Sequence, residues 1–248
     1  MRRLLTIPIS HYCEKARWAL DRAGIAYTEV RHLQIFHYLP VALAGGGVSV
    51  PVLTGAGPRA LADSTHILQW VDAQAPGSLY PKDPAQRAEV LRLEDYFDEA
   101  LGPATRRVVY FHVLDRPDLL RYNCAGVPAF EAAVIEVALP VAALFLRRRL
   151  HISAARNTLD LVRIRALFDE VARLGEGRRY LVGEAFSAAD LTFACMAAAV
   201  LLPAEYGSPL PRLDEVPAGL RALAEELRAH PSGARALRLF REDRRRSP

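Results

Sequence analysis

Cysteine is scarce in this chain of 248 residues: three occur, Cys13, Cys124 and Cys195. An odd number at such wide spacings suits neither a disulfide framework nor a zinc site, so no metal is expected and a reducing cytoplasm is the natural setting. Long apolar runs are missing as well. The stretch that stands out, Cys195 to Leu202, is far too short to span a bilayer. Met1-Arg2-Arg3-Leu4-Leu5 mimics the start of a signal peptide, yet the apolar stretch gives way to Ser10-His11 before its hydrophobic region is complete, so neither export nor a membrane span is expected. Gly45 to Gly47 lack the Gly-Lys-Ser/Thr ending that a phosphate loop needs. No internal repeat stands out, and the arginine-rich tail is the one biased segment. The formal net charge of +4 is spread along the chain, apart from the runs Arg147-Arg148-Arg149 and Arg244-Arg245-Arg246. The second reads as solvated tail, no nucleic-acid motif accompanies either, and no nucleic-acid partner is expected.

What is present is enough apolar material for a sizeable core: 51% hydrophobic and 24% charged residues match soluble globular proteins. The first 74 residues alternate in type. A β-like run at Leu4 to Ile7 leads to a helical run from about Tyr12 to Ala23 closed by Gly24, then a second β-like run from Ala26 to Arg31. An irregular connection, Gln34 to Gly47, follows. Val50-Pro51-Val52-Leu53 and Arg59-Ala60-Leu61 bracket a Gly/Pro turn and read as a hairpin, and Ser64 to Asp72 has helical spacing. Pro and Gly punctuate residues 77–84 as a linker. Beyond it the pattern is helical almost throughout: Ala85 to about Asp115, Val127 to about His151, Leu159 to Leu174, Ala188 to Leu202, Pro217 to His230, and a last helix from Pro231. The expected organisation is an α/β domain over 1–76 and an all-α domain over 85–248.

Ser10-His11-Tyr12-Cys13 falls where the loop after the first strand delivers side chains to a helix N-terminus, whose unpaired N–H groups and dipole stabilise negative charge. A thiolate is such a charge. A free thiol has a pKa of about 8.5, so ionising it at neutral pH takes a downward shift of about two units, roughly 3 kcal/mol. A hydroxyl donating to the sulfur, together with helix N–H groups, would supply that. Ser10 suits this task and equally suits plain helix capping. Cys13, one turn in, reads most simply as a small core residue. With serine in the first position a CxxC dithiol is impossible, which argues against disulfide reduction. His11 lacks an acid at useful spacing, so a hydrolase triad is not supported.

A short strand, then SxxC opening a helix with Lys15-Ala16-Arg17 and Ala19-Leu20, then Gly24-Ile25-Ala26-Tyr27, resembles the amino-terminal domain of cytosolic glutathione transferases. Three more elements resemble that family in the same order. Val50-Pro51-Val52-Leu53 is similar to its VPxL, which implies a cis Pro51 and a Val50 backbone that pairs with the cysteine of glutathione. Leu61-Ala62-Asp63-Ser64 resembles the acidic-serine pair that holds the γ-glutamyl end. Gly183 to Asp190 resembles the family's G-x-x-x-(S/T)-x-x-D, where Ser187 and Asp190 form a capping box and Phe186 with Leu191 a hydrophobic staple. The resemblance spans the chain and implies a thioredoxin-like βαβ-α-ββα domain followed by an all-helical one.

Tyrosine-type members carry the tyrosine near the end of the first strand, where this chain has Thr6 and Ile7, so the resemblance implies a serine-type member. Ser10 is then the catalytic residue, with Tyr12 and Thr6 as lesser candidates and Cys13 as the cysteine-type alternative. Tyr12, Cys13, Val50, Pro51, Asp63 and Ser64 are the expected ligand-binding residues. The chain departs from the family before Pro51: Gly46-Gly47-Val48-Ser49 offers no basic residue for the glycine carboxylate. Either His32, His37 or Arg31 replaces it, or the contact is missing, at a cost of about 1 to 3 kcal/mol in binding. Tyr96, Phe97, Tyr110 and Phe111 fall on the helix that lines the family's electrophile pocket, at a spacing that fits core packing equally. The implied activity is conjugation of glutathione, as cosubstrate, to a small hydrophobic electrophile by a cytoplasmic homodimer. The alternatives are a non-catalytic carrier with the same fold, or a glutathione-dependent isomerase or lyase, including dehalogenation and ether cleavage.

Overall fold

The computed structural model describes residues 1–244. Four strands form one sheet in the order β2-β1-β3-β4: β1 is Arg3–Thr6, β2 Thr28–Arg31, β3 Val52–Thr54 and β4 Leu61–Ala62. β1 pairs parallel with β2, Leu5 opposite Val30, and antiparallel with β3, Leu5 opposite Val52. The parallel pair needs a crossover, which α1 (His11–Arg22) supplies. Successive β1 side chains point to opposite faces. Leu4 joins the main core with Ala16, Trp18 and Leu53, whereas Leu5 packs against Val41 and Val52. That second contact orders part of the stretch expected to be irregular: Tyr38–Leu43 forms a short α2, which seats Val41 on the sheet. β3 and β4 close the expected hairpin, and α3 (Ser64–Gln74) follows.

The rest is helical. The segment expected to be one helix from Ala85 is α4 (Pro84–Tyr96) and α5 (Gly102–Val113), joined by a π-helical turn at Phe97–Leu101. After α5 come α6 (Leu120–Asn123), α7 (Ala129–Arg149), α8 (Ala154–Leu174), α9 (Ala188–Leu201), α10 (Ala218–Ala229) and α11 (Pro231–Asp243). A thioredoxin-like domain followed by a helical one is therefore the observed architecture. α9 is buried at nearly every position and is the axis of the helical part. Its start carries the expected box: Asp190 Oδ2 accepts the Ser187 N–H and hydroxyl at 3.1 and 2.9 Å, and Oδ1 accepts the Leu181 N–H at 2.9 Å.

One core runs through both parts, and buried charge fastens them. Lys15 of α1 lies 2.8 Å from Glu94 and 2.5 Å from Asp98, and Tyr80 donates to Glu94 at 2.7 Å. Along α1, Arg244 is buried and pairs with Glu14 at 2.7 Å and Asp21 at 2.8 Å. The first arginine of the expected solvated run is thus an internal ion pair, and Arg245 and Arg246 lie outside the described residues.

α7 corrects a second expectation. It has 21 residues, and an 18-residue window within it has a mean hydropathy of 2.0, so it is long and apolar enough to cross a membrane by length and composition, which Cys195 to Leu202 is not. Its charged residues are Glu131 and Glu136 in the first eight positions and three arginines in the last turn, leaving an apolar stretch from Val137 to Leu146. One side rests on protein: Glu131 takes the Leu33 N–H at 2.8 Å and lies 2.6 Å from His32, and Ile135 and Ala142 pack with Leu33. The other side is bare, with Val137 85% and Val141 73% exposed.

Candidate active site

A cavity of 320 Å³ lies between the thioredoxin-like domain and the helices. The β1–α1 loop forms one wall with Ser10, His11 and Tyr12; Val48, Ser49 and Val50 form a second; and α5 and α7 close it with Arg106, Tyr110 and Phe145. A larger, open groove of 1450 Å³ runs between α1 and the segment 202–213, but it contains none of the expected site residues.

Ser10 is the N-cap of α1, and its Oγ accepts the Cys13 N–H at 3.4 Å. A cap of this kind occupies a lone pair and leaves the hydroxyl proton to donate elsewhere. Both tasks foreseen for Ser10 are therefore compatible. Val50 shares the cavity with it. The Val50–Pro51 peptide is cis, and neither the N–H nor the C=O of Val50 has a partner among the described residues. Pro51, Asp63 and Ser64 do not line the cavity; Pro51 is buried, and its carbonyl accepts the Asp63 N–H at 3.2 Å. That bond sets the start of α3 beside Val50. Asp63 caps α3 through the Thr65 N–H at 2.8 Å and holds φ at 88°, a left-handed value that a non-glycine residue adopts at a cost. Ser64 is buried, and its hydroxyl has no hydrogen-bond partner among the described residues.

Tyr12 lines the cavity, but its hydroxyl donates to the Asp98 carbonyl at 2.8 Å, and burial pushes its pKa upward. Cys13 is not brought to the cavity. It is fully buried, its sulfur accepts the Ile7 N–H at 3.4 Å, and burial raises its pKa, so the thiolate is disfavoured. Thr6 faces the other way, donating to Glu29 at 2.6 Å.

Of the three groups considered for the missing basic residue, Arg31 is committed to Glu29 at 2.8 Å and His32 to Glu131 at 2.6 Å. His37 alone lines the cavity, with Nε2 3.3 Å from the Val48 carbonyl, and burial lowers its pKa, which favours the neutral ring. Among the four aromatic candidates only Tyr110 reaches the cavity; Phe97 is core, and Tyr96 donates to Glu170 at 2.8 Å. Sequence reasoning missed Arg106 and His11's part in the wall. Arg106, Val109, Tyr110 and Val113 recur at i, i+3, i+4 and i+7, the spacing of one helix face, which is the signal that would have found them.

The arrangement has a backbone pair, unpaired among the described residues, for an extended peptide, a helix N-terminus with an open hydroxyl for a carboxylate, and at the start of α1 a second hydroxyl that suits a sulfur. Residues 4–79 match the family model "Glutathione S-transferase, N-terminal domain". A comparison with curated proteins finds no match. Among solved structures, a glutathione S-transferase from Rhodospirillum rubrum F11 is 21% identical, with 100% of this chain and 96% of that chain covered and a TM-score of 0.59. The beta-etherase LigF from Sphingobium sp. strain SYK-6 is 19% identical, with 97% and 98% covered and a TM-score of 0.62. The theta class glutathione S-transferase from Xanthomonas axonopodis pv. citri, with glutathione bound, is 23% identical, with 95% and 96% covered and a TM-score of 0.55. Residues 4–79 thus match the N-terminal domain of glutathione S-transferases, and the chain as a whole shares the fold of these solved structures.

Proposed function

We propose that this protein is a serine-type, glutathione-dependent transferase acting on a small, largely apolar electrophile. The observation that carries the reading is the pairing of Ser10 with Val50 on one cavity: a hydroxyl at the N-terminus of α1, beside a backbone N–H and C=O unpaired among the described residues. Val50 holds the cysteinyl unit of glutathione by its backbone. Asp63, Ser64 and the N-terminus of α3 hold the γ-glutamyl end, next to Pro51. Ser10 donates to the sulfur and lowers its pKa. The thiolate then forms a C–S bond to the electrophilic carbon, and the leaving group departs with the bonding electron pair. Where the electrophile is an activated double bond, the adjacent carbon takes up a proton instead. Positioning and thiol ionisation supply the catalysis.

The glutathione found with the Xanthomonas relative supports the cosubstrate. Division into a glutathione-binding domain over 1–76 and a helical one over 85–248, a homodimer and a cytoplasmic location belong to the same proposal. Light scattering tests the dimer, at twice the 27.4 kDa chain mass. A second reading, a carrier without turnover, is favoured by one observation: of the three groups considered for the glycine carboxylate only His37 lines the cavity, and burial disfavours its charged form. Calorimetric titration of glutathione into wild type and Ser10→Ala separates the two. Micromolar to millimolar binding with a thiol pKa that falls only when Ser10 is present supports the transferase, whereas no binding heat at several millimolar overturns it. Product analysis then distinguishes conjugation from isomerisation or ether cleavage.

A further inference from the structure

The cavity is charged on one side only. Among the described residues Arg106 and Arg149 are the charged side chains that line it, and no aspartate or glutamate does. Arg106 is the more informative. Its Nε is buried, and its guanidinium makes no hydrogen bond or ion pair with any described residue. Its neighbour Arg107, by contrast, grips both oxygens of Asp160 at 2.6 and 2.7 Å. Elsewhere buried arginines are paired in the same way, Arg17 with Glu14 and Glu29, and Arg244 with Glu14 and Asp21. A partly buried cation without a partner is costly, and a site that keeps one has a use for an anion.

Two more groups converge on the same place. His11 is 4% exposed, and its Nε2 has no hydrogen-bond partner among the described residues. Tyr110, one turn beyond Arg106, accepts from Gln34 Nε2 at 3.0 Å, so its own proton is left to donate. The Gln34 amide is fixed in that orientation by mutual bonding with Asn123, at 2.6 and 3.3 Å. Around them the wall is apolar, with Val109, Val113, Phe145 and Leu146. This face belongs to α5 and α7, across the cavity from Ser49 and Val50.

Resting on the transferase reading, we infer that the cosubstrate is an amphipathic anion: an apolar electrophile bearing a carboxylate, which Arg106 receives with Tyr110 and His11 while the reacting carbon faces Ser10. Glutathione also carries carboxylates, so the same chemistry has two sources, and the experiment must separate them. Turnover is measured with ethacrynate and its methyl ester, a pair that differs in charge, for wild type, Arg106→Met and Arg106→Lys. Calorimetry follows glutathione binding and, without glutathione, the binding of cinnamate and of neutral cinnamamide.

Because Arg106 makes no hydrogen bond or ion pair among the described residues, the methionine variant keeps its fold, which thermal melting checks. The acid-over-ester preference in kcat/KM falls about 10- to 100-fold in Arg106→Met, as expected for losing one charge-assisted contact, and is largely retained in Arg106→Lys, with glutathione affinity unchanged. Cinnamate binds wild type and not Arg106→Met. An acid-over-ester preference equal in wild type and Arg106→Met overturns the inference. So does a loss of glutathione affinity in Arg106→Met with the preference intact, which would give Arg106 to the tripeptide's own carboxylate. Arg106-dependent cinnamate binding in a protein that does not bind glutathione would end the transferase reading and leave the anion site standing.

Discussion

Arg244 Nε lies 2.7 Å from Glu14 Oε1, with both side chains at most 1% exposed. The contact joins the end of α11 to the first turn of α1. The other Glu14 oxygen takes the Gly207 N–H at 3.0 Å and lies 3.1 Å from Arg17. Breaking a buried pair from one side leaves a charge without its partner, so Arg244→Met lowers stability by about 3 kcal/mol in urea unfolding. Adding Glu14→Gln recovers part of that loss. A single variant as stable as wild type would show that the pair is open in solution.

His11 gives stability a pH dependence. Burial first, and the Arg106 charge second, lower its pKa to about 3. The unfolded chain titrates near about 6.5, so between the two values it binds a proton that the folded chain refuses. Stability is therefore complete above that range and is lost as pH falls through it. Relative to His11→Gln, wild type loses about 2 kcal/mol on acidification from pH 7 to pH 5. Parallel profiles for the two proteins would mean that the folded imidazole titrates normally.

The thiols differ in access. Cys13 and Cys195 are buried, with pKa values raised by burial, while Cys124 is partly exposed. A chromogenic disulfide reagent should label Cys124 alone in the folded protein and all three cysteines in urea. Prompt labelling of Cys13 in the native state would reopen a thiol-based role for it.

At Asp63 two effects oppose each other. Alanine loses the cap and keeps the strained φ of 88°, lowering stability by about 1 to 2 kcal/mol. Glycine loses the same cap but relieves the strain, so Asp63→Gly is more stable than Asp63→Ala by thermal melting. The reverse order would place the residue in ordinary backbone geometry.

Local chemistry made much of this legible. The strand before Ser10, the hairpin around Gly55 and the Ser187–Asp190 box announce themselves through residue types within a few positions of one another. What escaped depends on distant neighbours. α2 exists because Val41 meets Leu5 and Val52, and Arg244 is buried because Glu14 and Asp21, more than 200 positions earlier, await it. Gly102 is similar: a Cβ there would come within 2.5 Å of the Tyr12 hydroxyl oxygen, a close approach that appears only once α1 and α5 are packed. Ser10 and Val50 were visible as candidates, whereas Arg106 was hidden because what marks it is a missing partner, and sequence does not display missing contacts.

The unequal bedding of the long helices bears on how the molecule breathes. α9 is enclosed by neighbours and can open only when the whole fold opens, so its amides report global unfolding. α7 has a bare flank, with apolar packing on one side and polar ties near its ends. Local openings of low free energy will reach it first. Since Phe145 and Leu146 belong to this helix, the outer wall of the cavity opens more readily than α9 does. Admission of a bulky apolar molecule then asks only for a fluctuation of that wall, while the Ser10 and Val50 side stays rigid.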